Sequence, residues 1–428
     1  MEEAFLHYIW KYQYLDKNQL KTTAGLPVNI ISPGHYNTDA GPDFLNAKIK
    51  VDGMEWYGNV EIHLNNQDWY RHQHHKDPLY DNVILHVCWD GNSDARRSDG
   101  TEMPIILLKN RLINGYYTNY KSLIKNKDSI ACQKYFHKVE RLKVFSMFDK
   151  SATERLKRKA NYAMETLKAN KGDWEATIYQ LIAINLGATK NKEPFQQLTQ
   201  VLPISILQHY RQNIFQVEAL IFGMAGYLGE VAADSYQAVL RKEFSFLMKK
   251  HKLSNLIMPK VQWLNARMRP GNFPTVRLAQ LAAIIAQRPH LYDQLVHAEN
   301  AKEIKSLLDV NVSDYWRQHY DFGKPNRKNR GKIGTSTKEL IIINTLAPLL
   351  AALSRHMDDA LYMEKALTLL QSVKAEKNHI IKKWNDIGLE VHSAFDSQAA
   401  IEIFNNYCCA RKCLSCNIGV SLIQEMNK

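Results

Sequence analysis

The sequence is poor in residues that mark several classes of protein. Only six cysteines occur among 428 residues, which excludes a disulfide scaffold, and 13 prolines with 19 glycines exclude a collagen-like chain. The most apolar run, residues 340–353, is interrupted by Asn344, Thr345 and Pro348, so we expect no membrane-spanning segment. The opening Met1-Glu2-Glu3 lacks the basic and apolar regions of a secretory signal, and we expect a cytoplasmic location.

The charge is unevenly distributed along the chain. The net charge is +13 with His neutral, but residues 1–110 carry −5 and the remainder carries +18. The same 110 residues contain seven of the sixteen histidines. This contrast indicates a metal-type site joined to a body that binds polyanions. The alternative is that the first domain is acidic by chance.

The secondary-structure pattern changes near residue 110. Strand-like runs separated by turn residues precede it, at residues 28–32, 45–51, 56–64, 82–89 and 103–108. Helical periodicity dominates after it, at residues 151–169, 174–186, 214–227, 231–250, 275–287, 338–354 and 359–374. We therefore predict an α+β protein with a small mixed-sheet domain at 1–110, followed by a large, basic, all-helical domain at 111–428.

One predicted hairpin brings acidic residues together. Asp52-Gly53 is a strong turn signal, and a register centred on Gly53 places Asp43 opposite His63, with Glu61 diagonal to Asp43. Glu61 and His63 are two apart and share one face of their strand. Two carboxylates beside a third polar group can bind Mg²⁺ or Mn²⁺ and leave positions open for a phosphate oxygen and water. The alternative is an edge strand with a solvated face.

The order of these features resembles the core of the PD-(D/E)XK nuclease superfamily. The order is a helix, a strand, Pro42-Asp43, a hairpin, Glu61-Ile62-His63, a helical stretch and a strand. The resemblance implies a restriction-endonuclease-like fold in which Asp43 and Glu61 hold the metal for phosphodiester hydrolysis. His63 occupies the position of the family's Lys, where it can orient or deprotonate water but carries no permanent charge.

A longer part of the chain resembles a bacterial family, domain of unknown function 2851. The segments that carry this resemblance are Gly41-Pro42-Asp43-Phe44, Val60-Glu61-Ile62-His63, Asp68-Trp69, Asp77-Pro78-Leu79-Tyr80, Val83-Ile84-Leu85-His86-Val87, Asn272-Phe273-Pro274 and the late cysteines. This family implies no particular activity.

A histidine-rich stretch offers a second kind of metal site. His72, His74 and Asp77 follow the hairpin, and His86 lies on the next strand. Imidazole favours Zn²⁺, Mn²⁺ or iron over Mg²⁺, so these residues with His63 can form a hydrolytic zinc site. Glu3 and His7, four apart on the first helix, can support the same pocket. The alternatives are surface or phosphate-facing histidines for the stretch and a hydrogen-bonded core histidine for His86.

Basic residues are concentrated in one loop of the second domain. Lys324, Arg327, Lys328, Arg330 and Lys332 lie among glycines just before a predicted helix. Flexible cations that lead into a helix N-terminus suit phosphate groups, so we predict that this loop binds nucleic acid. The alternative is a solvated loop.

Four cysteines lie within nine residues near the C-terminus. In a protein without disulfides such a cluster indicates metal ligands. Some PD-(D/E)XK nucleases bind a [4Fe–4S] cluster with three late cysteines and one distant one, which would here be Cys409, Cys413, Cys416 and Cys132. Cys408 can instead complete a structural zinc site. Unliganded thiols are the alternative.

These features together favour a metal-dependent phosphodiesterase that cleaves nucleic acid, with Asp43, Glu61 and His63 as catalytic residues. One alternative is a nucleic-acid-binding or structural protein whose nuclease fold has lost activity. A histidine-rich zinc hydrolase is another.

Changing Arg327, Lys328 and Arg330 to Ala is expected to weaken the binding of DNA and RNA about equally for every sequence, because phosphate contacts carry no base information. Three lost contacts should flatten the plot of log K against log[salt] by roughly 2 to 3 units on duplex DNA. Fluorescence anisotropy over a range of salt concentrations measures both quantities. Unchanged binding at every salt concentration would show that the loop is solvated surface.

Overall fold

The computed structural model describes residues 1–113, 115–229, 231–325 and 331–425. It confirms the predicted α+β class: a mixed sheet forms near the N-terminus and a long helical region follows. Contacts divide the chain into two compact units, residues 1–147 with 404–428, and residues 148–403. The predicted boundary lay at residue 110, whereas the contacts group residues 111–147 and the C-terminal segment with the sheet. A hydrogen bond from Asn119 Nδ2 to the Ile423 carbonyl joins residues 111–147 to the C-terminal segment.

The first unit is built on a sheet in the order β1-β3-β4-β5-β6, with β2 paired to β3. The pairs β1–β3, β2–β3 and β3–β4 are antiparallel, while β5 runs parallel to β4 and to β6. The elements are α1 (Glu3–Tyr12), β1 (Val28–Ser32), β2 (His35–Tyr36), β3 (Phe44–Val51), β4 (Met54–Asn65), α2 (Asp68–Arg71), β5 (Val83–Asp90), β6 (Ile105–Leu107), α3 (Tyr116–Lys125) and, at the C-terminus, α19 (Asn417–Glu425).

The β3–β4 hairpin forms at the predicted Asp-Gly turn, but its register differs from the prediction. Asp52 and Gly53 have φ of 48° and 82°, and Val51 pairs with Met54. A bulge between Phe44 and Ala47 then shifts the register, so that Phe44 lies opposite Val60. The prediction that Asp43 lies opposite His63 is therefore wrong. Asp43 lies beside Glu61.

Strand β4 is enclosed by its neighbours and presents the candidate site residues. Its parallel partner β5 is joined to it by α2 and two 3₁₀ turns, His74–Lys76 and Pro78–Tyr80. The pairing of Glu61 with His86 puts the two side chains on the same face of the sheet. Gly58 allows this pairing, since a Cβ there would lie 2.5 Å from the Asn82 carbonyl oxygen.

The second unit is helical, and several of its helices are buried on almost every side. Asp173 caps α5 by accepting from the Ala176 amide, and α5, α8 and α10 contribute long apolar runs to a single core. The helices are α5 (Trp174–Leu186), α6 (Lys192–Val201), α7 (Ile204–Gln208), α8 (Ile214–Met224), α9 (Ser235–Lys250), α10 (Pro274–Gln287), α11 (Leu291–His297), α12 (Ala301–Leu307), α13 (Asp314–Gln318), α14 (Thr335–Ile341), α15 (Ala347–Met357), α16 (Ala360–Ser372), α17 (His379–Asp386) and α18 (Ala394–Glu402); α4 (Arg141–Ala169) contributes most of its length, and β7 (His319–Asp321) pairs with β8 (Lys324–Pro325).

Among the described residues, one helix, Thr335–Met357, is long and apolar enough to cross a membrane. The apolar run interrupted in sequence at Asn344, Thr345 and Pro348 lies within this helix, which continues past these residues through a π-helical segment, Ile342–Leu346. Of its most apolar window, 67% is buried, and its apolar side chains belong to the core of the second unit.

Candidate metal centre

Strand alternation places Glu61 and His63 on one buried face of β4. They are 5% and 2% exposed, and His86 on β5 is fully buried. Burial, reinforced by His86, lowers the pKa of His63 to about 2, and burial lowers the pKa of His86 to about 3. Both imidazoles are therefore neutral at neutral pH, which is the form that binds metal ions.

His86 fixes the orientation of the His63 ring by contacting its Nδ1. Nε2 of His86 lies 2.8 Å from Nδ1 of His63, so one of the two nitrogens donates to the other. Nδ1 of His86 has no hydrogen-bond partner among the described residues. The contact leaves Nε2 of His63 directed toward the other histidines. In metal-binding histidines, the ring nitrogen that does not bind the ion is usually held by a neighbouring polar group in this way.

His72 and His74 complete a set of three imidazoles with His63. Gln73 between them has φ of 60°, which turns the chain so that both histidines approach β4. One ligand nitrogen from each of His63, His72 and His74 lies within 4.8 Å of the other two. Nδ1 of His72 is 3.2 Å from Nε2 of His63. Imidazole nitrogens this close can converge on one ion at about 2.0–2.1 Å each.

The carboxylate of Glu61 borders these imidazoles. Its Oε1 lies 3.5 Å from Nε2 of both His63 and His74, while Oε2 accepts a hydrogen bond from the Asp43 amide at 3.1 Å. Asp43 Oδ2 in turn accepts from the Ile62 amide at 3.0 Å. Burial, together with the charge of Asp43, raises the pKa of the Glu61 carboxyl well above its usual range. A cation in the site would offset this by favouring the carboxylate.

Helix α1 adds a second polar group beside Asp43. Nε2 of His7 lies 3.2 Å from Asp43 Oδ2 and 3.9 Å from Glu3 Oε1. The hydroxyl of Tyr36 lies 3.5 Å from Nδ1 of His7. The structure thus brings together residues predicted from three separate segments. These are Glu3 and His7 on the first helix, Asp43, Glu61 and His63 in the hairpin, and His72 and His74 in the histidine-rich stretch.

Two other predicted ligands, Asp77 and His86, are not members of the group of three imidazoles. Asp77 accepts a hydrogen bond from the Leu79 amide at 3.0 Å and caps the second 3₁₀ turn. His86 contacts His63 at Nδ1, the ring nitrogen that does not face His72. Sequence reasoning missed Tyr80, whose ring stacks on His74 with centroids 3.9 Å apart. No spacing rule indicates that contact, because it depends on the two consecutive 3₁₀ turns.

The predicted basic loop is only partly described. Arg327, Lys328 and Arg330 lie outside the described residues. Lys324 forms an ion pair with Asp321 at 2.9 Å, and Lys332 is exposed, with its carbonyl accepting a hydrogen bond from Gln280.

The predicted cysteine ligands belong to the first unit. No disulfide joins the six cysteines, all of which lie among the described residues. Cys132, Cys408, Cys413 and Cys416 are buried, and Cys409 is exposed. Burial and the neighbouring Cys413 and Cys416 raise the pKa of the Cys132 thiol. Cys408, rather than Cys409, therefore shares the buried surroundings of the other three thiols.

One protein family matches most of this chain. The sequence model described as "Protein of unknown function (DUF2851)" matches residues 3–379. The chain belongs to this family. The matched region contains every member of the candidate centre, from Glu3 to His86. No significant match was found among curated proteins or solved structures.

In this DUF2851 chain, changing His72 or His74 to Ala is expected to weaken Zn²⁺ and Mn²⁺ binding at least tenfold, because even outer-shell changes cost 10–100-fold at metal sites. His72 is exposed, so its loss should leave the fold intact. Isothermal titration calorimetry on chelator-treated protein measures the affinity.

His75 is the matched control, since it adjoins His74 but contacts Tyr70, with ring centroids 5.0 Å apart. His75→Ala should bind metal like the parent. Equal affinities for all three variants would mean that the imidazoles do not hold the ion.

Proposed function

We propose that this chain is a divalent-metal-dependent phosphodiesterase that acts on nucleic acid. The observation that carries the proposal is the meeting of Asp43 and Glu61 with the imidazoles of His63, His72 and His74 beside one face of β4. Nitrogen donors beside the buried Glu61 carboxyl suit a cation, whereas burying Glu61 and His63 for structural reasons alone would be costly.

The arrangement of elements supports the comparison with PD-(D/E)XK nucleases. Helix α1 precedes the antiparallel strands β1, β3 and β4, and β5 runs parallel to β4 after a helical connection. Asp43 lies just before β3 and Glu61 lies on β4, which are the two acidic positions of that resemblance. His63 takes the position of the Lys and supplies a neutral nitrogen donor instead of a positive charge.

The donor set favours Zn²⁺ or Mn²⁺ over Mg²⁺, since imidazole is a poor ligand for Mg²⁺. We assign His63, His72 and His74 as ligands, with Glu61 as a further oxygen donor or proton acceptor. A bound divalent cation would polarise a phosphodiester oxygen and lower the pKa of water.

The protein's own groups provide the proton transfer and the electrostatic balance. Glu61 Oε1, 3.5 Å from two of the imidazoles, is placed to accept the proton of an attacking water. His7, beside Asp43, is placed to stabilise negative charge at that carboxylate or to protonate a leaving oxygen. Hydrolysis would add water across one P–O bond, leaving a phosphomonoester and a hydroxyl.

The charge of the second unit supports a polyanionic substrate. Residues 148–403 have a net charge of +10 with His neutral. A positive body of this kind attracts nucleic acid through the phosphate backbone without reading its sequence.

The isosteric changes Asp43→Asn and Glu61→Gln are each expected to lower the cleavage rate at least a hundredfold, because each removes a negative charge from the reacting centre. The assay uses fluorescently labelled single- and double-stranded DNA and RNA with Mn²⁺ or Zn²⁺, and with EDTA as a blank.

Asp77→Asn serves as the control, since Asp77 caps a turn through an oxygen that Asn also offers. It should cleave like the parent. The proposal fails if the parent cleaves none of these substrates with either metal, or if Glu61→Gln cleaves as fast as the parent.

We also propose that Cys132, Cys408, Cys413 and Cys416 hold a structural zinc ion or a [4Fe–4S] cluster. The four are buried thiols within one unit, and thiolates are the donors that both groups require. The Cys413 segment is held close to α19, since a Cβ at Gly419 would lie 2.4 Å from the Cys413 carbonyl oxygen.

Protein purified without oxygen should contain about one zinc per chain, or iron with a broad visible absorption, and Cys413→Ser or Cys416→Ser should lose it. Elemental analysis measures the content. Cys409→Ser is the control and should retain the metal, because Cys409 is exposed. A folded parent without either metal would overturn the assignment.

A further inference from the structure

A cavity of about 270 Å³ lies within the second unit, between α4, α5 and the π segment of the long helix. Three cations line it: Arg158, Lys159 and Lys192. Among its lining residues, all of which lie in the described part of the chain, none is acidic. A partly enclosed cavity with this lining has an excess of positive potential that an anion would relieve.

Lys159 contacts only neutral groups inside this cavity. Its Nζ donates to Asn344 Oδ1 at 2.7 Å and to Gln398 Oε1 at 2.5 Å. Burial, followed by the charge of Arg155, lowers the pKa of the Lys159 ammonium. A third donor position on the ammonium remains for a ligand, because an ammonium carries three N–H groups.

The two arginines near Lys159 are engaged by a carboxylate, and one of them, Arg158, lines the cavity. Arg158 donates from both Nη atoms to Glu402, at 2.5 and 2.6 Å, and Arg155 lies 3.4 Å from the same carboxylate. Glu402 is 2% exposed. Two arginines therefore share one buried acid beside Lys159.

The π segment Ile342–Leu346 positions Asn344 toward the lysine. Asn185 donates to Thr345 Oγ1 at 2.7 Å and to the Leu181 carbonyl at 2.9 Å, which ties the segment to α5. Short π segments often occur at functional sites, where the extra residue changes the direction of a side chain. Polar residues from three helices thus surround one ammonium.

We propose that this cavity binds the phosphate monoester group of a small ligand, with Lys159 and Lys192 as its charged contacts. A phosphomonoester dianion matches two lysine charges. Roughly 270 Å³ accommodates a phosphate with a small organic group but not a nucleic acid duplex. The site lies in a different unit from the candidate metal centre and does not depend on the proposed nuclease function.

The test is isothermal titration of the full-length protein with inorganic phosphate at low salt. The parent should bind phosphate with a dissociation constant of about 1 mM or below. Lys159→Met and Lys192→Met should each weaken binding about tenfold or more, because charge-assisted hydrogen bonds are lost. Lys157→Met is the matched control, since Lys157 is exposed on the same helix and does not line the cavity.

Reductive methylation at neutral pH gives a second measurement by mass spectrometry. Phosphate should protect Lys159 from methylation and leave Lys157 unprotected. Lys192 is exposed, so its variant keeps the test valid if Lys159→Met fails to fold. Absence of phosphate binding by the parent, or equal binding by Lys192→Met, would overturn the proposal.

Discussion

The cost of burying ionisable groups on strand β4 is the constraint on which the candidate centre depends. Glu61 and His63 lie almost fully buried at alternate positions, and His86 is buried on the adjacent strand. Removing an ionised group from water costs several kcal/mol unless it is compensated, so the free protein keeps the histidines neutral and favours the protonated form of Glu61. A divalent cation would reverse this preference for Glu61. Metal binding and the ionisation of the site would therefore be linked.

The two units differ in the sign of the ionisable groups at their candidate binding sites. In the first, the buried Glu61 carboxyl borders the imidazoles of His63 and His74. In the second, Lys159 faces a cavity without an acidic lining residue, and the unit as a whole is positive. The ligands proposed for the two units are therefore opposite in charge, a metal ion for the first unit and phosphate groups for the second.

Local sequence signals predicted the elements better than the contacts between them. The Asp52-Gly53 turn, β1 at Val28–Ser32 and α5 at Trp174–Leu186 follow from turn chemistry and hydrophobic periodicity. The register of Asp43 could not be predicted, because it depends on a bulge at which Asn46 adopts φ of 57°.

The same limit applies to the choice of ligands. Segments rich in His and Cys are visible in the sequence, but the side chains that meet are decided by backbone details. The positive φ of Gln73 turns the chain between His72 and His74. Cys408, which ends the π segment Ile403–Cys408, is buried, whereas Cys409 is exposed. A π turn adds one residue per turn, and helical periodicity does not reveal its position.

The most direct test of the central claim is anomalous diffraction from crystals soaked in Mn²⁺ or Zn²⁺. We expect an ion bound by nitrogens of His63, His72 and His74 at about 2.0–2.2 Å, with a Glu61 oxygen nearby. An ion at saturating metal concentration that lies elsewhere, or no ion among these three imidazoles, would contradict it.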